Sequence, residues 1–197
     1  MNASTPSSCG AILLAAGFSR RFGSIKLNAT LPDGSSIFTK SFDSLSQSID
    51  EIIVVGREDL YNAGTYYTLG NRDTRKTLIL CEDAQLGMGH SLRAGINAIP
   101  GHWSACLICL ADMPYINPTT YKQIAENSDQ SHIVIPSHDH QRGHPVSFGR
   151  QYFDALADSD GDTGGRKVIQ THPNAVLELP VDDKGILLDI DRPEDLA

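Results

Sequence analysis

The stretch Ala11-Ile12-Leu13-Leu14-Ala15 is apolar without a break, and the elements that follow it narrow the fold further. A strand that is apolar at every position, not at every second one, has to be covered on both faces, as in the middle of a parallel sheet flanked by helices. Phe38, Phe42, Leu45 and Ile49 recur at helical spacing; residues 51–56 then read as a second strand and 77–81 as a third. Met88, Leu92, Ile96 and Ile99 mark another helix, ended by Pro100-Gly101, before a fourth strand at 105–110. Asn117-Pro118 supplies an N-cap followed by proline at the first position of the next helix. Strands that alternate with helices in this way belong to an α/β sheet.

From residue 131 the rhythm changes. Residues 132–136 and 145–148 read as short strands around the polar stretch 137–144, a hairpin-like excursion. A helix with Tyr152, Phe153 and Leu156 follows, then glycine-rich 161–165 and a shorter helix with Val168 and Ile169. Residues 175–179 and 185–190 read as strands, and 192–197 begin a last helix. There is no internal repeat. The expectation is one three-layer α/β/α Rossmann-like domain with a mostly parallel sheet over residues 10–197, preceded by a flexible tail at 1–9.

Composition agrees and excludes several classes. A chain of 197 residues suits one domain, since domains commonly run to about 100–200 residues, and it buries enough apolar surface to need no disulfide framework. Its apolar runs fall short of the ~20 residues that span a bilayer. Residues 1–8 carry neither Lys nor Arg nor an apolar run, unlike a signal peptide, so a cytoplasmic protein is expected. Sixteen basic against 24 acidic residues, a net charge of −8, argue against nucleic acid or an anionic membrane as partner. A local cluster of cations still leaves room for an anionic substrate. Cys106 and Cys109 form a C-x-x-C inside an apolar run, whereas a redox pair opens a helix; they read as small hydrophobes of a buried strand.

Ligands of such sheets bind beyond the carboxyl ends of the strands, which directs attention to the loops after Ala15, Cys81, Leu110 and Ile190. In the first, Leu14-Ala15-Ala16-Gly17-Phe18-Ser19 turns off the buried strand, and Arg20, Arg21 and Lys26 follow closely. Backbone N–H groups, a hydroxyl and cations together fit a polyphosphate cradle; a plain strand-to-loop turn with a solvated basic face fits the spacing equally. The glycine spacing matches neither a Walker A loop nor G-x-G-x-x-G. In the second, Gly87 and Gly89 lead into a helix containing Ser91, where N–H groups and a hydroxyl face the strand ends, or where glycines merely shape a loop. Asp112 closes the fourth strand, and Asp189 and Asp191 close the last; carboxylates there can share one Mg²⁺, whose remaining ligands are waters and phosphates. His138 and His140 read as members of an exposed loop rather than a metal site. Asp160-Gly161-Asp162-Thr163-Gly164-Gly165-Arg166 is a glycine-rich turn or an anion nest.

Taken in order, Ala15-Ala16-Gly17-Phe18-Ser19-Arg20-Arg21-Phe22-Gly23 with Lys26, Leu86-Gly87-Met88-Gly89-His90-Ser91-Leu92, Leu110-Ala111-Asp112-Met113-Pro114, Gly143-His144-Pro145-Val146 and Asp189-Ile190-Asp191-Arg192-Pro193 resemble the MobA-like NTP transferases. Within that family the chain is most similar to the molybdenum-cofactor cytidylyltransferases, because the first turn has Ala16 where guanylyl enzymes usually carry glycine. The resemblance implies a nucleotidyltransferase domain that moves CMP from CTP to a phosphate-bearing molybdopterin and releases pyrophosphate. It implies nucleotide binding by Leu14, Ala15, Ala16, Gly17, Ser19, Arg20, Lys26, Gly87, Gly89 and Ser91, and catalysis by Lys26, Arg20 and Asp112. It further implies Mg²⁺ on Asp112 with Asp191 (or Asp189) as second ligand, and an acceptor held by His144 and Arg166. A molybdenum hydroxylase or its maturation factor is the implied protein partner. A sugar- or polyol-phosphate nucleotidyltransferase and a non-catalytic molybdenum-cofactor carrier are the alternatives.

Overall fold

The computed structural model describes residues 8–19, 22–69, 75–158 and 164–196. The part of the expected tail at residues 1–7 lies outside them, and the first strand, β1 (Cys9–Leu14), already takes in Cys9. After it come α1 (Ile37–Ser46), β2 (Ile52–Gly56), α2 (Glu58–Asn62), β3 (Lys76–Leu80), α3 (Met88–Asn97) and β4 (Ala105–Leu110). The second half contributes α4 (Pro118–Glu126), β5 (Ile133–His138), β6 (Gln141–Arg142), β7 (Val146–Gly149), α5 (Phe153–Ala157), α6 (Arg166–Thr171) and β8 (Val176–Pro180).

One sheet runs β3-β2-β1-β4-β7-β5-β6, with β8 on β5. β1 pairs in parallel with both β2 and β4, as Ile12 opposite Ile53 and Ile108 illustrates. β3 and β8 also join in parallel, whereas β7 runs antiparallel between β4 and β5. Alternation along β1 divides the core. Ala11 and Leu13 face α1 and α4, packing with Phe38, Phe42, Leu45, Tyr121 and Ile124; Ile12 and Leu14 face Leu92, Ile96, Phe153, Leu156 and Val168 of α3, α5 and α6. Each such large apolar side chain contributes about 1.5–3 kcal/mol by leaving water. The result is the three-layer α/β/α, Rossmann-like fold with a mostly parallel sheet.

The same alternation decides the cysteines. Cys106 packs in the α3 layer and Cys109 in the α1 layer, so a spacing of three along β4 sends them through opposite faces. Both are free, and burial raises both thiols well above their ordinary value. They are small core hydrophobes.

Three local readings need correction. Residues 185–190 are not a strand: Lys184–Leu187 form a 3-10 turn. Their apolar residues serve docking instead, with Ile186 and Ile190 buried and Leu188 exposed. Gly185 makes that possible, because a Cβ there would lie 2.1 Å from the Tyr115 carbonyl oxygen. The expected last helix is likewise only a 3-10 turn, Pro193–Leu196. Finally, the Asn117 side chain makes no cap bond. The buried carboxylate of Asp183 accepts from the Asn117 N–H at 2.9 Å and from Thr120 Oγ1 at 2.6 Å, capping α4 from a distant loop.

Candidate functional site

The carboxyl ends of β1, β4 and the chain before α3 surround a cavity of about 480 Å³. Parallel pairing brings these ends together: the Ala15 N–H donates to Val55 O at 2.8 Å and the Ala111 N–H to Leu14 O at 3.1 Å. Leu14, Ala15, Ala16, Gly17 and Ser19 line the cavity along one side. Gly17 is exposed, and nothing stands within 4 Å of where a Cβ would project. Arg20 and Arg21 lie outside the described residues.

Across the cavity, Gly87 precedes α3 with φ 124°, a conformation that a residue with a Cβ rarely adopts, and so sets the start of that helix. Gly87 and Ser91 line the cavity; Gly89 is buried on α3 and does not. Leu86 and Met88 give the rim exposed apolar surface.

The floor is electrostatic. Lys26 opens a 3-10 turn and is only 7% exposed, although it carries a charge. Its Nζ donates to Asp112 Oδ2 at 2.7 Å and to Asp191 Oδ1 at 3.3 Å. Asp112 is delivered by the end of β4. Asp191 is delivered by the C-terminal segment, which is pinned where the Ile190 N–H donates to Asp112 O at 2.9 Å. Asp195 in turn accepts from the N–H groups of Asp191 and Arg192, and these bonds hold its carboxyl below the ordinary aspartate range. Two carboxylates thus converge on one cation at the edge of a solvent-filled cleft. This donor set suits a hard divalent ion that takes its other ligands from water and phosphate. Between the two candidates for second carboxylate, Asp191 lines the cavity and pairs with Lys26, while the charge of Asp189 acts on His144. Among the described residues no group of three or more His, Cys, Asp or Glu is placed to hold a metal.

His144 stands outside the cavity lining. Its N–H donates to Ile186 O at 3.0 Å, and its Nδ1 is buried with no hydrogen-bond partner among the described residues. Burial pushes the imidazole below the ordinary histidine range, against the opposing pull of Asp112 and Asp189. His138 and His140 go elsewhere. Asp139 and His140, with φ 47° and 64°, form the two-residue turn of the β5–β6 hairpin, and His138 bonds to Val181 O. Arg166 begins α6 and is exposed; the neighbouring Gly164 lies against Met88, on the cavity rim. Residues 159–163, with Asp160, Gly161, Asp162 and Thr163, lie outside the described residues.

Several residues at the site escaped the sequence reading. Phe18, Leu27 and Gln85 also line the cavity, and His90, beside Ser91, has a buried Nδ1 with no partner among the described residues. Arg57 and Tyr66 support the first turn from behind. The signal for Arg57 lies in its place immediately after the end of β2, at the same end of the sheet as the other ligand loops.

Comparison with known proteins places this geometry in context. A family model described as MobA-like NTP transferase domain matches residues 11–176. The chain is 31% identical to the purine catabolism protein PucB of Bacillus subtilis (strain 168), over 93% of this chain and 92% of that one. It is 23% identical to the molybdenum cofactor cytidylyltransferase of Escherichia coli (strain K12), over 93% of this chain and 91% of the other. Among solved structures, Rv0371c from Mycobacterium tuberculosis H37Rv superposes with a TM-score of 0.82 at 24% identity, covering 97% of this chain and 96% of that one. A second structure of Rv0371c, a complex with manganese, gives 0.77 at 23% identity, covering 96% of each chain. No helix among the described residues is long and apolar enough to cross a membrane.

Proposed function

The chain belongs to the MobA-like NTP transferase family, and from that premise we propose that it transfers CMP from CTP to the phosphate of a molybdopterin-type acceptor, releasing pyrophosphate. The observation that carries the reading is the buried Lys26 ammonium, held between Asp112 and Asp191 on the floor of a cleft walled by the turn after β1. An anionic substrate that enters this cleft approaches the Lys26 ammonium, which a divalent cation on Asp112 and Asp191 would leave free for charge-assisted contacts to phosphate.

The acceptor phosphate is already anionic near neutral pH, its second ionisation lying near pH ~6, so no general base is needed. An acceptor oxygen forms the new bond to the α-phosphorus as the bond from that phosphorus to the β-bridging oxygen breaks. The electron pair leaves with pyrophosphate. The protein has to align the two phosphates and offset their charge. Lys26 and Arg20 offset charge on the triphosphate. Ala15, Ala16 and Gly17 seat the nucleotide, and the apolar rim at Leu86 and Met88 limits water. Gly87 and Ser91, which line the cavity, serve the base and ribose side, and Gly89 packs behind them on α3. Asp112 and Asp191 would hold Mg²⁺, which when bound neutralises charge on phosphate oxygens; the manganese complex of Rv0371c supports a divalent site in this fold. Arg166 offers a cation to the acceptor phosphate; His144, outside the cavity lining with its Nδ1 buried, takes no direct part in holding the acceptor. The choice of CTP rests on Ala16, whose methyl takes up room in the cavity wall, and on the cytidylyltransferase relative. A dinucleotide product would pass to a molybdenum hydroxylase or its maturation factor in the cytoplasm.

The test is pyrophosphate release from CTP, GTP, ATP and UTP, each with and without molybdopterin. Release from CTP only when the pterin is present is expected. Release with sugar or polyol phosphates instead would transfer the reading to those acceptors. Tight cofactor binding with no release from any NTP would make the protein a carrier.

A further inference from the structure

β2 ends at Gly56, and Arg57 reaches from there to the back of the turn after β1. Arg57 Nη1 donates to Gly17 O at 3.1 Å, and the guanidinium lies 3.8 Å from the centroid of the Phe18 ring. Asp59 fixes the fork from the other side, accepting from Nε at 2.9 Å and Nη2 at 3.0 Å. The Arg57 N–H donates to Tyr66 Oη at 3.1 Å, and that hydroxyl donates to Ala15 O at 3.0 Å. Tyr66 is itself 4% exposed and packs edge-on against Phe38 of α1, so the brace is anchored in the core.

The two carbonyls held in this way, Ala15 and Gly17, are two residues apart in the turn. In a planar trans peptide the C=O and the following N–H point in opposite directions. A carbonyl tied to the brace therefore aims the next N–H away from it: Ala16 N–H behind Ala15 O, and Phe18 N–H behind Gly17 O. Ala15, Ala16, Gly17 and Phe18 line the cavity; Tyr66 does not, and Arg57 lines only a small neighbouring pocket that shares Gly17, Ser19 and Lys26 with it. Neither N–H has a backbone acceptor among the described residues. We propose that Arg57 and Tyr66 are positioning residues that hold the Ala15 and Gly17 carbonyls so that the Ala16 and Phe18 N–H groups face the polyphosphate chain of a nucleoside triphosphate. The inference rests on the NTP reading of the cavity and adds how its phosphate donors are aimed. Arg57 is committed to Asp59 and Gly17, so its part is to orient, not to neutralise. The Phe18 ring, with the guanidinium against it, keeps the turn from swinging into the cleft.

The test uses ¹⁵N-labelled full chain titrated with CTP and, separately, with inorganic triphosphate, following amide resonances and affinity together. In the wild type the Ala16 and Phe18 amides shift strongly with either probe. Tyr66→Phe, which removes a single hydroxyl without changing charge, and Arg57→Ala each weaken CTP binding about ten-fold, the scale of one or two well-placed hydrogen bonds, and both shrink those two shifts. Loss of the shifts in Tyr66→Phe while its unfolding midpoint stays close to wild type separates aiming from general destabilisation. CTP binding in the wild type with unmoved Ala16 and Phe18 amides, or unchanged affinity in both variants, overturns the inference and leaves the NTP reading standing. A wild type that binds neither probe overturns both.

Discussion

Lys26 connects parts of the chain that are 86 and 165 positions apart through one ammonium group. It places a counter-charge against both Asp112 and Asp191, and removing that charge raises the attraction of the two carboxylates for a divalent cation. Lys26→Met keeps most of the side-chain volume and removes the charge. The free variant is expected to bind Mn²⁺ at least about ten-fold more tightly than wild type, read by electron paramagnetic resonance of the unbound ion, while its affinity for CTP falls. Equal or weaker Mn²⁺ binding in the variant would remove Asp112 and Asp191 as a shared cation site. At this scale the place of Asp112 just beyond an apolar strand was legible, while for Lys26 the spacing left a cradle and a plain turn equally open and the family resemblance supplied the choice. That they meet at 2.7 Å was not legible, since nothing local to either residue encodes the other.

Among the elements, α4 is the instructive one. Asn117-Pro118 marks its start correctly, yet the cap comes from Asp183, whose carboxylate also accepts from the Gly185 N–H at 2.9 Å. One buried side chain therefore satisfies a helix terminus and fixes the 3-10 turn that replaces the expected strand. Asp183→Ala leaves three donors unsatisfied and is expected to lower unfolding stability by about 2–3 kcal/mol in urea. Asn117→Ala, whose side chain makes no cap bond, is expected to fall within about 0.5 kcal/mol of wild type. The reverse order of these effects would restore Asn117 as the cap. The misread strand has the same origin: Gly185, Ile186, Leu187 and Leu188 are apolar enough to read as a strand, but the Asp183 bond to the Gly185 N–H and the close approach of Gly185 to Tyr115 O hold them in a turn.

In the molecule as a whole, the end of the sheet opposite the cleft is closed by Glu51. Its carboxylate accepts from Trp103 Nε1 and lies 2.7 Å from His102 Nε2, with Arg75 nearby. Burial raises the carboxyl, but the bonds to Trp103 and His102 and the positive charges outweigh it, so the group titrates below the ordinary glutamate value of about 4.3. A depressed carboxylate contributes stability that is full above the unfolded value and lost as pH falls through the folded one. Glu51→Gln is therefore expected to be less stable than wild type at pH ~7 and to lose less on acidification between pH ~5 and ~3. Urea unfolding at a series of pH values reads both. Parallel acid profiles for the two proteins would show that Glu51 is not part of the acid response.

The sequence by itself determined the layers. Unbroken apolar strands, helical periodicity and the breaks between them are properties of a few consecutive residues, and they placed β1 to β4, α1, α3 and α4 along with the strand ends that approach the cleft. Their inward and outward faces follow from a two-residue period, which also settles the fate of Cys106 and Cys109 once β4 is covered on both sides. Only the tertiary structure decided that β7 inserts antiparallel between β4 and β5, that Asp183 caps α4, and that Asp191 rather than Asp189 joins Asp112 on Lys26. The contacts of Arg57 and Tyr66 with the Gly17 and Ala15 carbonyls entered the same way. Each of these depends on groups far apart in sequence meeting in a desolvated place, where an unpaired charge or N–H is costly. Such a cost belongs to the packed chain, and no short stretch of sequence carries it.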